Sequence, residues 1–491
     1  MLDIRNLCVR YRGRSKPALD NLTLSIDRGD FVLMAGDSAS GKSTAMQAVC
    51  GFIPDIIPAD ISGSIALDGR FYSDPSDVAG VACMVQQDPE TQFCTETVEE
   101  EVAFGPENLR FERSEIERVV EESLSRVKAS HLRDRRLSTL SGGEKQKVAI
   151  ASMLSVGPKL LILDEPTANL DRRSVGQVIH AIDSMRSRTE LTLVIVEHRI
   201  REFIDMVGRV IVLSGGRVKE DCSRGSEAFR RLREEAFVPL NSRRPSCDSR
   251  EAVISVKGLG YEVDDCMILD DVSFRINKGA VVALMGENGA GKTTVLRHLT
   301  GLQSVQKGEV AVRGHRITPG CQLDAWTLGR DVGLIFQNPN HQIFEDTVEG
   351  EMIFAPRNFN APLDTAEAFT KDFEEREGLI RYVHPHCLSF GQKRRVNIHS
   401  GSSHAPHILL LDEPFAGQDR GNAERITEVL ERLQKRGATI VIVTHDQEFA
   451  RGFCTHVIIM SQGRIVASGP FDEVPETCWA AVSRGGRSDA E

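Results

Sequence analysis

No stretch of the 491 residues approaches the ~18 consecutive apolar residues that a membrane-spanning helix needs. The longest apolar runs are pieces such as Leu160–Leu163, Ile408–Leu411 and Thr439–Val443, so the chain is not expected to cross a bilayer by itself. An excess of positive charge is also missing. Against 60 Lys and Arg stand 71 Asp and Glu, a formal net charge of −11, which argues against phosphate-backbone binding as the main task because that work needs clustered cations; no nucleic-acid partner is expected. Eleven Cys are scattered singly from Cys8 to Cys478 with no C-x-x-C pair. That pattern fits reduced thiols, buried or half-buried, better than a disulfide framework or a zinc site. The opening residues alternate apolar and polar like a strand and lack the charged start and apolar middle of a signal peptide, so a cytoplasmic location is expected.

What is present is a duplication. GDSASGKST at Gly36–Thr44 recurs as GENGAGKTT at Gly286–Thr294, LSGGEKQKV at Leu140–Val148 as LSFGQKRRV at Leu388–Val396, and LLILDEPTANLD at Leu160–Asp171 as ILLLDEPFAGQD at Ile408–Asp419. The offsets hold within three residues: 250 from Lys42 to Lys292, 248 from Ser141 to Ser389 and from Asp164 to Asp412, and 247 from His198 to His445. Two copies of one domain are therefore expected at residues 1–235 and 252–491. The Ser-rich, charged, Pro-containing stretch 236–251 reads as the linker between them.

In each copy an apolar run leads into a Gly-rich loop and a helical stretch, and further buried-strand runs alternate with polar segments of helical spacing. This is an α/β pattern built on a mostly parallel sheet, with a helical subdomain in each copy between Gln87 and Ser141 and between Gln337 and Ser389. The loop itself reads G-x-x-x-x-G-K-[ST], the P-loop. Its glycines let backbone N–H groups converge on phosphate oxygens, Lys42 and Lys292 can reach the β- and γ-phosphates, and the hydroxyls of Ser43 and Thr293 can bind Mg²⁺. The cradle is expected to comprise Gly36, Asp37, Ser38, Ala39, Ser40, Gly41, Lys42, Ser43 and Thr44 in the first copy, and Gly286, Glu287, Asn288, Gly289, Ala290, Gly291, Lys292, Thr293 and Thr294 in the second. Asp164 and Asp412 end apolar strands, where a carboxylate meets a metal, and Glu165 and Glu413 follow, placed to orient or deprotonate an attacking water. His198 and His445 each end the next apolar strand, a position suited to contacting phosphate.

P-loop, LSGGE or LSFGQ, LDEP and the strand-end His occur twice in one order, and this set resembles the nucleotide-binding domain of ABC ATPases across essentially the whole chain. The resemblance implies two tandem P-loop NTPase domains, each with a parallel-sheet core, a helical subdomain and an antiparallel β part, using ATP and Mg²⁺. It assigns adenine stacking to Tyr11 and Tyr261 and a Mg²⁺ contact to Gln87 and Gln337. It makes Ser141, Gly142 and Gly143, and Ser389 and Gly391, the signature that meets the γ-phosphate of the opposite copy. Asp171 and Asp419 match the D-loop acid. The family also implies two ATP molecules sandwiched head to tail, so that one chain is a pseudo-dimer. Phe390 stands where the first copy has Gly142; since contact is expected from backbone and from Ser389, two competent sites are expected.

A transporter motor with separate membrane subunits competes with a soluble ABC ATPase of translation or DNA repair. The latter predicts a long basic linker, an inserted coiled coil or Cys-rich modules, none of which is visible. QDPETQFCTETVEEEVAFGPENL (Gln87–Leu109) and QNPNHQIFEDTVEGEMIFAPRNF (Gln337–Phe359) resemble the segment of energy-coupling factor (ECF) importer ATPases that receives the T-type membrane subunit, a separate S-type subunit capturing a vitamin, vitamin precursor or metal ion. The resemblance implies a peripheral protein on the cytoplasmic face of the membrane, with a conventional importer or exporter motor as the alternative. Acidic Glu99–Glu101 would suit a basic partner surface, or simply a helix start, where acids favour the first turn.

Overall fold

The computed structural model describes residues 1–12, 16–37, 39–71, 78, 80–168, 170, 172–186, 191–236, 244–245, 249–321, 325–377, 381–388, 390–416, 418, 420–475 and 477–479. It divides into two compact units, Met1–Val238 and Pro239–Glu491. Most of the stretch expected as linker lies outside the described residues.

The first unit runs β1 (Leu2–Tyr11), β2 (Leu19–Ile26), β3 (Phe31–Ala35), α1 (Lys42–Val49), β4 (Ala59–Leu67), β5 (Arg70–Phe71), β6 (Ala82–Val85), α2 (Val98–Asn108), α3 (Arg113–Arg126), α4 (Gly142–Ser155), β7 (Leu160–Asp164), α5 (Arg172–Arg186), β8 (Thr192–Val196), α6 (Ile200–Phe203), β9 (Arg209–Ser214), β10 (Arg217–Ser223) and α7 (Glu227–Ala236). One sheet has the order β10-β9-β3-β8-β7-β6, parallel except for β10 at its edge, and an antiparallel sheet has the order β2-β1-β4-β5. Every residue of β3, β7 and β8 is buried, as expected of parallel strands covered on both faces. Their side chains alternate between two cores. Leu33, Leu161, Leu163, Leu193 and Ile195 join the core that includes residues of α2, α3 and α4, whereas Val32, Met34, Leu160, Ile162 and Val194 join the core shared with α1 and the antiparallel sheet. Each such side chain withdraws apolar surface worth about 1.5–3 kcal/mol.

The second unit repeats the plan: β11 (Ala252–Val263), β12 (Cys266–Asn277), β13 (Val281–Gly286), α8 (Lys292–Leu299), β14 (Lys307–Val312), β15 (His315–Ile317), α9 (Ala325–Gly329), β16 (Val332–Ile335), α10 (Val348–Phe359), α11 (Asp364–Glu377), α12 (Phe390–Ser402), β17 (Ile408–Asp412), α13 (Arg420–Lys435), β18 (Thr439–Val443), α14 (Gln447–Phe453), β19 (His456–Ser461) and β20 (Arg464–Pro470). Its sheets have the orders β16-β17-β18-β13-β19-β20 and β12-β11-β14-β15.

Among the described residues no helix is long and apolar enough to cross a membrane. Two sequence expectations need correction. Cys94, Cys266, Cys321 and Cys387 are exposed, because single Cys in loops and at strand ends follow no apolar periodicity that would bury them. Of the acidic run Glu99–Glu101, Glu101 is withdrawn from any partner, while Glu99 and Glu100 stay at the surface with bonds inside their own fold. Glu99 pairs with Arg133 at 2.5 Å, Glu100 closes a capping box with Thr97 at the start of α2, and buried Glu101 accepts from the backbone N–H of Cys94 and Thr95 and from the Thr95 hydroxyl.

Candidate functional site

In each unit the P-loop, the Asp-Glu pair and the strand-end histidine gather at the carboxyl ends of the parallel strands, where open α/β sheets bind ligands; the signature residues are not brought to them, Gly142 and Gly143 lying by Leu170 and Ser174. In the first, β3 ends at Ala35 and the chain turns through Gly36 and Gly41, at φ 143° and 101°. A Cβ on Gly36 would lie 2.3 Å from the Leu213 carbonyl oxygen, so only glycine lets the loop run this close to β9. Gly41 starts α1, and the Lys42 ammonium folds back over the loop, donating to the carbonyls of Gly36 (2.7 Å) and Asp37 (2.9 Å) and to the Ser40 hydroxyl (3.3 Å). Ala39 adds another left-handed residue, φ 63°. The Ser43 hydroxyl donates to Asp164 at 2.9 Å. Burial, then the charge of Glu165, pushes Asp164 up to about 7 against the hydrogen bond from Ser43 and the charge of Lys42.

Register brings the remaining groups in. Asp164 pairs with Val196 across β7 and β8, and the Glu165 N–H donates to the Val196 carbonyl at 2.8 Å. Glu165 takes the left-handed conformation, φ 46°, a strain of about 1–3 kcal/mol that persists only where the surroundings over-determine it. Its carboxylate accepts from Gln87 Nε2 at 2.8 Å and lies 3.6 Å from His198 Nδ1, beyond hydrogen-bond length. Burial raises Glu165, but the neighbouring positive charges of His198, Lys42 and Arg199 carry it below the usual carboxylate range. The Tyr11 hydroxyl, at the end of β1, hydrogen-bonds Thr44 at 2.9 Å. Ser141 caps α4 in a capping box with Glu144, and Gly142 and Gly143 open that helix.

The second unit has the same construction. Gly286 and Gly291 sit at φ 151° and 92°, and Lys292 Nζ donates to the carbonyls of Gly286 and Glu287, both at 2.8 Å. The Thr293 hydroxyl donates to Asp412 at 2.7 Å. Burial pushes Asp412 up, opposed by Thr293, Lys292 and Arg394. Glu413 is again left-handed, φ 47°, and its carboxylate meets His445 Nδ1 at 3.1 Å. Asn288, Gly289 and Ala290 complete the turn, and Thr294 follows in α8, its carbonyl meeting His298 Nδ1 at 2.8 Å. Tyr261 ends edge-on to His298, with ring centroids 5.0 Å apart. Gly391 lies in the first turn of α12. Ser38, Asp171, Ser389 and Asp419, and the side chain of Phe390, lie outside the described residues.

Three residues at these sites were not singled out from the sequence, and matching one copy against the other is the signal that finds them. Glu197 stands where the second copy has Thr444. It is fully buried with no hydrogen bond on either carboxylate oxygen and lies 3.8 Å from His198. Burial pushes it up to about 7 despite the opposing charges of His198 and Arg199. His198, between two carboxylates, has a side chain only 2 % exposed, against 28 % for His445. The other pair is Gln146 and Arg394, on the signature helices α4 and α12.

The ABC transporter family matches residues 19–168 and 269–416, which include both P-loops and both Asp-Glu pairs. A Methanosarcina mazei protein named "Putative ABC transporter ATP-binding protein" is 34% identical over 478 residues, 95% of this chain and 94% of its own length. The Bacillus subtilis protein named "Putative HMP/thiamine import ATP-binding protein YkoD" is 30% identical over 96% of this chain and 91% of its own length. Among solved structures, cbiO1 of Clostridium perfringens, described as part of the ABC transporter complex cbiONQ, is 30% identical, with 46% of this chain and 90% of that one covered and a TM-score of 0.40. With both repeats matched and the relatives collinear over nearly their whole length, the chain belongs to the ABC transporter family and is an ATP-hydrolysing, ATP-binding component of such a transporter.

Proposed function

We propose that the chain is the motor of an ECF-type importer for a vitamin, a vitamin precursor or a metal ion, its copies being residues 1–235 and 252–491 joined at 236–251. The observation that carries this reading is a matched surface following Gln87 and Gln337. Glu101 and Glu351, buried and 250 positions apart, each gather two backbone N–H groups and pin the preceding loop to the helix that follows. One turn on, Phe104 and Phe354 stand at the same register, 42 % and 40 % exposed, and Phe344, 60 % exposed, packs edge-on against Phe354 at 4.5 Å. Exposed aromatics on a rigidly anchored helix suit a groove that receives an apolar element of a membrane subunit. The import named for the Bacillus subtilis relative points the same way.

The chemistry follows from the groups gathered in each unit. A hydroxyl and a buried carboxylate already within hydrogen-bond distance, Ser43 with Asp164 and Thr293 with Asp412, are the hard oxygen donors that Mg²⁺ takes, with Gln87 and Gln337 nearby. When bound, the ion neutralises charge building on the phosphates. The P-loop N–H groups and Lys42 or Lys292 hold the β- and γ-phosphates, and Tyr11 or Tyr261 receives the adenine. Glu165 or Glu413 accepts a proton from the attacking water, whose oxygen bonds to the γ-phosphorus as the bond to ADP breaks. His198 or His445 orients that carboxylate and meets the γ-phosphate. Signature residues Ser141, Gly142 and Gly143, with Ser389 and Gly391, complete the opposite copy's site on closure, so hydrolysis waits for the closed state. The T-type subunit would take up that motion on the cytoplasmic face, while the S-type subunit holds the cargo.

Purification from membranes tests this. The chain is expected to bring small hydrophobic subunits with it, and Phe104→Glu with Phe354→Glu is expected to release it. Co-sedimentation with ribosomes at low salt, without membrane partners, would overturn the reading.

A further inference from the structure

Gln146 and Arg394 hold the same register, five residues beyond each signature serine, but only one can bind three carbonyls. Arg394 is completely buried. Its Nη1 donates to the Phe336 carbonyl at 2.8 Å and to the Gln337 carbonyl, and its Nη2 donates to the Glu413 carbonyl at 2.6 Å. Burial lowers the guanidinium to about 10, against the opposing pull of Glu413 and Asp412, so it stays protonated at neutral pH. A buried cation is costly unless hydrogen-bonded; both terminal nitrogens of this one are bound by the backbone of the two segments that carry Gln337 and Glu413, while Nε has no partner. Gln146 is buried on the matching helix with its Nε2 unpartnered.

We infer that Arg394 is a positioning residue of the Lys292 site: its guanidinium ties the backbones of Gln337 and Glu413 to the signature helix of the same copy, so this site stands pre-assembled and turns over faster than the Lys42 site. The fork geometry is the reason. A guanidinium presents several donors in a fixed plane, and here one plane spans both segments. Both Glu165 and Glu413 hold a strained left-handed backbone, and only at Glu413 does a guanidinium add a tie to the carbonyl. In the first copy Gln146 makes no such tie to the backbone of Gln87 or Glu165 among the described residues, and the Glu165 carboxylate is instead engaged by the Gln87 side chain.

The inference rests on the roles proposed above for Gln337 and Glu413. Its test uses the full chain with one site silenced: Glu165→Gln leaves the Lys292 site as reporter, and Glu413→Gln leaves the Lys42 site. Steady-state ATP hydrolysis is expected to be faster in the Glu165→Gln chain. Arg394→Gln in that chain is expected to lower kcat about tenfold with KM for ATP within twofold, and Arg394→Lys to recover part of kcat, since one ammonium cannot span three carbonyls. The turnover ratio of the two reporter chains is then expected to fall toward one; a merely structural role would weaken both chains and leave the ratio, which overturns the inference. Should Arg394→Gln melt below the assay temperature, Gln146→Arg decides. In the Glu413→Gln chain it is expected to raise kcat severalfold, and no rise overturns the inference. Turnover persisting when both glutamates are Gln would overturn the proposed roles, and the inference with them.

Discussion

Substituting the P-loop glycines of the second copy one at a time separates shape from strain. A Cβ on Gly286 would lie 2.3 Å from the Met460 carbonyl oxygen. That is 0.7 Å inside the 3.0 Å that Cβ contacts essentially never breach, and Met460 is the backbone partner of Gly286 between β13 and β19, so it cannot rotate away. Gly286→Ala must therefore displace the loop by a comparable distance. Hydrogen bonds to a charged group are worth about 1.5–3 kcal/mol each, and misplacing two of the converging N–H donors costs roughly 3–6 kcal/mol, more than a hundredfold in affinity. Gly289 offers the contrast: at φ 79°, with no atom within 4 Å of an added Cβ, Gly289→Ala meets only the left-handed penalty of about 1–2 kcal/mol, at most roughly thirtyfold. With Lys42→Ala confining binding to the Lys292 site, titration with a fluorescent ATP analogue reads both, and circular dichroism checks the fold. Gly286→Ala binding within threefold of its parent, or Gly289→Ala binding as weakly as Gly286→Ala, would refute the reasoning.

Other expectations can be measured alongside. Glu165→Gln and Glu413→Gln, made singly, are each expected to leave measurable ATP hydrolysis and together to abolish it; one single variant without effect beside another with complete loss would contradict two competent sites. Glu197→Gln is expected to raise the melting temperature of the full chain by several degrees at pH 8. The carboxyl is raised from 4.5 to about 7 in the folded protein, so its cost is absent below about pH 4.5, grows as pH rises and is complete above about pH 7, at roughly 3 kcal/mol. The gap between variant and parent should thus shrink toward pH 5, and a pH-independent gap would exclude this origin. Phe104→Glu with Phe354→Glu should leave ATP hydrolysis by the free chain within twofold while abolishing capture by membrane partners; undiminished capture would place the docking surface elsewhere.

The strands and loops of the site were readable because their constraints are local. A fully apolar run before G-x-x-x-x-G-K-[ST] can only be a buried strand feeding a phosphate loop, and β3 and β13 are that. Glu99–Glu101 could not be read as one surface, since three adjacent acids point around a helix in three directions. One meets Arg133, one caps its own helix and one is buried, and no count of charge distinguishes these fates. The exposed aromatics escaped notice for a related reason: Phe104 is apolar by type, and only the packing of α2 leaves it facing outward.

By itself, then, the sequence determined the duplication, the α/β class, the order of motifs and the groups proposed to handle phosphate and metal, all carried by residue type at fixed spacing along one chain. Tertiary structure alone decided which of those groups touch. The pairing of β7 with β8 delivers Glu165 to the neighbourhood of His198, the packing of α12 drives Arg394 into the carbonyls behind Glu413, and burial between strands, invisible in a one-letter code, leaves Glu197 beside its histidine without a hydrogen bond. Inequality between two copies with nearly identical motifs arises there, because hydrogen-bond geometry and desolvation depend on neighbours that lie far apart in the chain.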